Sequence, residues 1–192
     1  INYEMYGKDL IPSAELSAQM VRLIGKEPPV GYFYELFLDE NGEKISKSRG
    51  NGLTVEEWMR YAPVSSLAYF IYKDPRQAKK LFFDQIPKAM DEYLDALRKY
   101  PEVPDEKKPD HLAWHLHGQG KEVPAYGTSI NFSTVNNVVA GLGRPDPELV
   151  AKFIYRHDPA ARDYAETITG LVEKGMRYYE DYILPEKVYR EP

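Results

Sequence analysis

The chain lacks several kinds of residue and segment, and each absence excludes a class of protein. None of its 192 residues is cysteine, which excludes disulfide bonds, thiolate zinc sites and cysteine nucleophiles. No apolar run approaches the ~20 residues of a membrane-spanning helix. No basic-then-apolar leader opens the chain, so we expect a cytoplasmic protein without a membrane partner. Because the first residue is Ile1 rather than methionine, we also expect a part of a longer protein.

The chain also lacks a strong excess of one charge. Its formal net charge is -5, from 25 Lys and Arg residues and 30 Asp and Glu residues. A net acidic chain is not a general coat for nucleic acid, although a local basic patch can still bind phosphate. The hydrophobic content of 43% and charged content of 29% are ordinary for a soluble globular protein.

Helix-start and helix-end signals recur along most of the chain, and strands are predicted only near the N-terminus, in INYEMYGKDL and in YFYELFL before the turn DENG. Residues 101–110 are the best linker candidate. We therefore predict a mainly α protein with a small α/β part near the N-terminus. The helix signals are the caps Ser13, Thr54 (a capping box with Glu57), Asp74 (before Pro75), Ser133, Asp146 and Asp158, the terminator Gly25 and the breaker Pro87.

The most distinctive segment is DENGEKISKSRGNG, residues 39–52, and we call residues 43–52 the lysine loop. It alternates two lysines with two serines between a turn and a capped helix. Ammonium and hydroxyl groups in this arrangement can follow the charge of a polyphosphate. The order G-x-x-x-x-G-K-[ST] is absent, so the segment is not a Walker loop. Two glycines and clustered positive charge lead us to expect a mobile loop that closes on a nucleotide.

KISKS resembles the KMSKS signature of class I aminoacyl-tRNA synthetases, with Ile45 in the methionine position. The segments YEMYGKDLIPSAELS, GYFYELFLDENGEKISKSRGNGLTVEEWMRYAP and SLAYFIYKDPRQAKKLFFDQIPKAMDEYLDAL extend the likeness to class I lysyl-tRNA synthetases, and NFSTVNNVVAGLG is similar to the start of their anticodon-side helices. The resemblance implies that residues 1–62 end a Rossmann-type nucleotide-binding fold with the KMSKS loop. It implies a helical stem-contact-like region at 63–125 and the start of a helix-cage, anticodon-binding region at 126–192.

The same resemblance implies roles for individual residues. Lys47 would stabilise the departing pyrophosphate and Lys44 would support it, so these are the implied catalytic residues. Asp9 would accept a bond from the ribose, although a helix-terminus cap is an equal alternative for it. The implied substrates are lysine, ATP with Mg²⁺, and tRNA(Lys). The implied ATP-binding residues are Gly7, Asp9, Lys44, Ile45, Ser46, Lys47 and Ser48.

Several alternatives stay open at this level. Glutamyl-type synthetases share a similar helical region, and a non-catalytic RNA-binding module could use the lysine loop only to grip phosphate. The second class I signature, His-Ile-Gly-His, is absent from the sequence, and HLHG at residues 115–118 has the wrong order. We therefore expect this chain alone to be inactive.

Two further clusters of side chains invite a functional reading. One is a predicted basic helix face that would contact tRNA phosphates, or would simply be solvated. The other is a group of histidines with partial metal-ligand spacing, for which we predict packing or surface roles and no bound metal. The basic face comprises Lys73, Arg76, Lys79 and Lys80, and the histidines are His111, His115 and His117.

Overall fold

The computed structural model describes residues 2–46, 48–143 and 146–186. They form two compact units. The first contains the chain up to Gly52 together with Asp74–Phe82, and the second contains Leu53–Lys73 and the chain from Phe83 onward. The described residues are mostly helical with small parallel sheets, which confirms the predicted fold class in outline. None of the described helices is long and apolar enough to cross a bilayer.

The first unit opens with a strand, a helix and a parallel strand. Strand β1 (Tyr3–Gly7) leads through a short 3-10 turn (Lys8–Leu10) into α1 (Ile11–Leu23), and β2 (Val30–Tyr34) then pairs with β1. The register sets Tyr3 opposite Val30 and Gly7 opposite Tyr34. A parallel pair requires such a crossover, because the chain must return to the same end of the sheet before the second strand begins.

The boundaries of α1 differ from the prediction at one end. The helix has Leu10 as its N-cap, so Ser13 lies within the first turn and the predicted Ser13 cap is wrong. Pro12 also lies in the first turn, where its missing N–H costs no hydrogen bond. Gly25 takes the left-handed φ of +72° directly after the helix, which confirms the predicted terminator.

A second small sheet brings a later segment of the chain into the first unit. Strand β3 (Phe37–Leu38) pairs in parallel with β4 (Lys79–Lys80). The predicted helix with Asp74 as its N-cap is therefore wrong, since Asp74 itself has a left-handed φ of +63°. The guanidinium of Arg76 lies 4.9 Å from the ring centroid of Tyr32. Strand pairing and this cation–π contact thus override the local Asp-Pro helix signal.

The second unit is a helical assembly with a continuous apolar core. Its largest fully buried side chains come from several helices and include Trp58, Ile86, Phe132, Ile154 and Ile168. Buried aliphatic and aromatic side chains of this size dominate the stability of a helical unit. The helices are α2 (Val55–Tyr61), α3 (Val64–Tyr72), α4 (Gln85–Lys99), α5 (Leu112–Leu116), α6 (Phe132–Leu142), α7 (Pro147–His157), α8 (Ala165–Tyr178), a π-helical turn (Tyr179–Ile183) and α9 (Leu184–Glu186).

The helix starts of the second unit follow their local signals in most cases. The predicted capping box of α2 is confirmed, because the N–H of Glu57 donates to Thr54 Oγ1 at 3.1 Å and the N–H of Thr54 donates to Glu57 Oε2 at 2.8 Å. The Asp146 cap of α7 is also confirmed. Asp158 caps as predicted, but the turn that it starts is the 3-10 helix Pro159–Tyr164 before α8.

Three local predictions in this unit are wrong. The cap of α6 is Asn131 rather than Ser133, whose hydroxyl instead donates to Asp91. Pro87 does not interrupt a helix, because α4 begins two residues before it and tolerates proline in the first turn. The linker candidate 101–110 lies within the second unit and contains the 3-10 helix Asp105–Asp110.

Candidate nucleotide site at the lysine loop

The turn before the lysine loop is built around the carboxylate of Asp39. Asp39 is only 8% exposed. Its Oδ1 accepts the backbone N–H groups of Asn41 at 3.0 Å and Glu43 at 2.8 Å. The hydrogen bond from the side chain of Asn51, followed by that from the Glu43 N–H, lowers the pKa of Asp39 below its ordinary value. The DENG turn is therefore organised by an ionised carboxylate at its first position.

Asn51 connects this turn to the lysine loop. Its Nδ2 donates to Asp39 Oδ2 at 2.8 Å and lies 3.4 Å from the carbonyl oxygen of Lys44. Its Oδ1 accepts the backbone N–H of Ser46 at 3.0 Å. The two ends of the loop are thus joined through one side chain. The predicted mobility of residues 43–52 stays a prediction.

Ile45 fixes the first half of the loop against β3. Its N–H donates to the carbonyl of Phe37 at 3.1 Å, and Lys44 forms an isolated antiparallel bridge with Leu38. Gly52 gives the Ile45 side chain its space, because a Cβ at position 52 would lie 2.4 Å from Ile45 Cγ2. Ile45 is therefore a packing residue of the loop.

The described serines and arginine of the loop also make local contacts. Ser46 Oγ and Ser48 Oγ share a hydrogen bond of 2.9 Å. Arg49 forms an exposed ion pair of 2.9 Å with Glu43, and the N–H of Arg49 donates to the Ser46 carbonyl. Lys47, the principal predicted catalytic residue, lies outside the described residues.

Lys44 and Asp9, two of the predicted nucleotide-binding residues, lie together. The ammonium of Lys44 and the carboxylate of Asp9 form a salt bridge between residues 35 positions apart, and each side chain is about half exposed. An exposed pair of this kind contributes little to stability. It does place a cation of the lysine loop beside the segment that follows β1.

Gly7 and Asp9 occupy the carboxyl end of the parallel pair β1–β2. Gly7 is the last residue of β1 and lies opposite Tyr34, the last residue of β2. A Cβ at Gly7 would make an ordinary van der Waals contact with the Tyr34 ring, at 3.6 Å. Ligands of parallel α/β sheets bind outside the carboxyl ends of the strands. Asp9 and Lys44 therefore stand where a nucleotide is expected.

The four predicted tRNA-binding cations do not share a helix face. Lys73 directly follows α3 and pairs with Glu92 at 3.0 Å within the second unit. Arg76 stacks on Tyr32 in the first unit, where Lys79 and Lys80 form β4. The predicted basic helix is wrong because residues 74–82 form turns and the two-residue strand β4.

The histidines make packing contacts. Nδ1 of His111 accepts the N–H of Ala113 at 3.2 Å and so caps α5. Nε2 of His117 lies 2.9 Å from the hydroxyl of Tyr93. Burial lowers the pKa of both imidazoles. Within residues 2–46, 48–143 and 146–186, no group of three or more His, Cys, Asp or Glu side chains is placed to hold a metal ion.

Sequence reasoning missed the two residues that organise the loop. The sequence pattern marks Asp39 only as the first residue of a turn, and it indicates no particular role for Asn51. A signal was present, because Asp at the start of a turn commonly accepts backbone N–H groups two or more residues on. An asparagine held between Gly50 and Gly52 was a second signal, since polar side chains amid flexible backbone often supply the missing hydrogen bonds.

Comparison with known proteins shows the family to which this chain belongs. The family model for class I tRNA synthetases (K) matches residues 1–120. That match covers more than half of the chain, and the chain belongs to this family of class I aminoacyl-tRNA synthetases.

Curated relatives define the type more closely. The chain is 39% identical over 191 residues to the lysine–tRNA ligase of Roseobacter denitrificans (strain ATCC 33942 / OCh 114), covering 99% of this chain and 36% of that protein. It is 40% identical over 195 residues to the lysine–tRNA ligases of Rickettsia rickettsii (strain Sheila Smith) and Rickettsia bellii (strain RML369-C), covering 100% of this chain and 37% of each relative. The chain therefore belongs to the lysyl type and spans a little over a third of the length of these relatives.

Proposed function

We propose that this chain is the lysine-loop part of a lysine–tRNA ligase that activates lysine with ATP and transfers it to tRNA(Lys). The observation that carries the proposal is the meeting of Lys44 with Asp9 at the carboxyl end of β1, within a chain similar over its whole length to lysine–tRNA ligases. These relatives do not favour the glutamyl-type alternative.

In the first step, a carboxylate oxygen of lysine attacks the α-phosphorus of ATP. The bond from that phosphorus to the bridging oxygen breaks, and pyrophosphate leaves with the negative charge. Lys47 and Lys44 stabilise this charge, while Ser46, Ser48 and the backbone at Ile45 line the nucleotide. Mg²⁺ enters with ATP and neutralises part of the phosphate charge. In the second step, a ribose hydroxyl of the terminal adenosine of the tRNA attacks the lysyl carbonyl and releases AMP.

In this proposal, the Lys44–Asp9 salt bridge is the state of the site before ATP binds. Before ATP binds, each charge satisfies the other at the mouth of the site. ATP then offers phosphate to Lys44 and ribose hydroxyls to Asp9, Gly7 leaves room for the sugar, and both groups exchange partners. Little is lost on opening, because an exposed pair is worth ~1 kcal/mol or less.

The same proposal divides the chain into a catalytic part and two parts that contact tRNA. Residues 1–62 end the catalytic nucleotide-binding fold and carry the KMSKS loop. Residues 63–125 form a stem-contact-like region, and residues 126–192 begin the helix-cage region on the anticodon side. Lys73, Arg76, Lys79 and Lys80 remain proposed phosphate contacts, now as residues of a turn and a strand instead of a helix face.

The test is lysine-dependent exchange of pyrophosphate into ATP by the full-length gene product that contains these residues. Replacing Lys47 with Ala is expected to slow exchange by roughly a hundredfold or more, the loss seen when a preorganised charge contact leaves the transition state. Lysine binding should be unchanged. Lys26→Ala, which removes an exposed lysine from the connection after α1, is the matched control and should exchange at the normal rate.

Two results would contradict the proposal. Normal exchange by Lys47→Ala would remove the assigned role of the loop. RNA binding by a wild-type protein that shows no lysine-dependent exchange would instead favour the non-catalytic RNA-binding module.

A further inference from the structure

The Asp39–Asn51 pair lies behind the residues assigned to ATP and is not itself assigned to any step. Asp39 holds the turn through two backbone N–H groups. Asn51 spans from that carboxylate to the N–H of Ser46. Ser46 is the central residue of KISKS, so one amide side chain connects a fixed turn to the middle of the signature.

The orientation of the Asn51 amide is determined by its partners. Its Nδ2 faces two acceptors, the Asp39 carboxylate and the Lys44 carbonyl, and its Oδ1 faces a donor, the Ser46 N–H. A flipped amide would set oxygen against oxygen and N–H against N–H. Asn51 therefore fits in one orientation only, as expected of a side chain that determines loop geometry.

We propose that Asp39 and Asn51 form a clasp that positions the lysine loop for catalysis without touching the substrate. The clasp holds the backbone at Lys44 and Ser46 in a fixed position relative to the Asp39 turn. This inference rests on the proposed ligase function and adds two positioning residues to it.

The physical argument is preorganisation. A charge stabilises a transition state only if it reaches its position without first being ordered, and small displacements of such groups cost large factors in rate. Supporting hydrogen bonds behind a catalytic group keep that displacement small. Because the hydrogen bonds from the Asn51 side chain and the Glu43 N–H lower the pKa of Asp39, its carboxylate is ionised at neutral pH and can hold both partners.

The test uses three variants of the full-length gene product in pyrophosphate exchange. Asn51→Ala should lower kcat by about ten- to a hundredfold and leave the KM for lysine unchanged. Asn51→Asp should be worse, because two carboxylates then meet where a donor and an acceptor met. The swapped variant Asp39→Asn/Asn51→Asp again pairs an amide with a carboxylate and should recover much of the loss.

A second arm distinguishes positioning from mere stability. If the clasp acts through the ammonium of Lys44, Asn51→Ala should cost little in a Lys44→Ala background, because the group that it positions has gone. A purely structural role would cost the same factor in both backgrounds. Asn137→Ala, at an exposed position of α6, is the matched control and should leave exchange unchanged.

The outcomes distinguish a failure of the clasp from a failure of the proposed ligase function. Wild-type exchange with an unaffected Asn51→Ala variant, or equal losses in the two backgrounds, would overturn the clasp and leave the ligase function standing. Absence of exchange in the wild type would overturn both. If Asn51→Ala fails to fold, the swapped variant decides, and a folded swapped variant without recovery of kcat would overturn the clasp.

Discussion

The two glycines of the lysine loop serve different physical purposes. Gly50 has a left-handed φ of +64°, and a Cβ there would meet nothing within 4 Å. Gly52 is required for space, because its missing Cβ leaves room for Ile45 Cγ2. A sequence shows only that both residues are glycine, whereas the structure shows that one accommodates a backbone angle and the other a neighbouring side chain.

Alanine substitutions are expected to separate these two roles. Gly50→Ala should destabilise the loop by about 1 kcal/mol through backbone strain and leave Ile45 in place. Gly52→Ala should displace Ile45 and weaken its N–H bond to Phe37. Amide hydrogen exchange at Ile45 is the measurement, and it should accelerate markedly more for Gly52→Ala.

A compensating change provides the control for this prediction. Ile45→Ala removes the Cγ2 atom that the new methyl group would meet, so adding it to Gly52→Ala should remove the clash. Gly50→Ala should gain nothing from the same change. Equal exchange at residue 45 in the two single variants would show that the close approach of Gly52 and Ile45 has no consequence.

At the scale of elements, the sequence predicted structure well where one local interaction decides it. Thr54 with Glu57, and Asp146 with Pro147, each set a helix start within one turn, and both starts are where the sequence placed them. The segment after Asp74 carried an equally good local signal but forms a turn followed by the two-residue strand β4. Its partner β3 lies some forty residues earlier in the chain. A short polar segment that pairs at such a distance has no alternating hydrophobic pattern from which the strand could be predicted.

In the candidate site, too, the sequence indicated local features but not the contacts between residues far apart in the chain. The lysine and serine residues of the loop were predicted from their spacing and Asp9 from the family resemblance, and their roles stay predictions. The clasp was not, because the connection of Asp39 to Asn51 depends on a chain reversal over twelve residues. The Lys44–Asp9 pair spans 35 residues, so the sequence named both partners without indicating that they meet.

Asp158 connects two elements of the second unit and provides a pH test. Its Oδ2 accepts the hydroxyl of Thr128 at 2.6 Å and both the N–H and the hydroxyl of Ser129 at 2.9 Å. Its Oδ1 caps the turn at Ala160. These bonds, led by that from Thr128, lower the pKa of Asp158 from 3.8 to about 2.

Asp158→Asn is therefore expected to destabilise the second unit by about 1 kcal/mol at pH 7, because an amide nitrogen replaces one of the two oxygens that accept hydrogen bonds. Because the folded pKa lies below the unfolded one, the contribution of Asp158 is complete above pH 3.8 and is lost as pH falls through about 2. The difference from wild type should stay constant down to roughly pH 4 and then shrink. Both tryptophans, Trp58 and Trp114, belong to this unit, so urea unfolding followed by their fluorescence reports it.

The direction of the pH dependence is what tests the assignment. A difference between wild type and Asp158→Asn that grows below pH 4 would show that the folded state does not favour the ionised carboxylate. Glu166→Gln, an exposed carboxylate in the first turn of α8, is the control and should alter stability little across the same range.

At the scale of the whole molecule, the two units differ in how completely each buries its own apolar side chains. The second unit has an apolar core of its own. The first presents apolar side chains on α1 to solvent, among them Leu16, Met20 and Leu23, and its parallel sheets have two strands each. Parallel sheets are ordinarily covered on both faces. The first unit therefore leaves more of its apolar surface uncovered than the second unit does.

This contrast leads to a prediction for the 192-residue chain on its own. The second unit should fold, because capped helices with buried faces stabilise one another, and amides of α4 and α8 should be protected from hydrogen exchange. The chain should nevertheless be catalytically silent. It contains no His-Ile-Gly-His stretch, and half of an ATP site cannot hold a carboxylate in line with the α-phosphorus. Incubation with lysine, ATP, Mg²⁺ and labelled pyrophosphate should yield no labelled ATP, whereas the full-length gene product should yield it. Lysine-dependent labelling by the isolated chain would show that these residues hold a complete activation site.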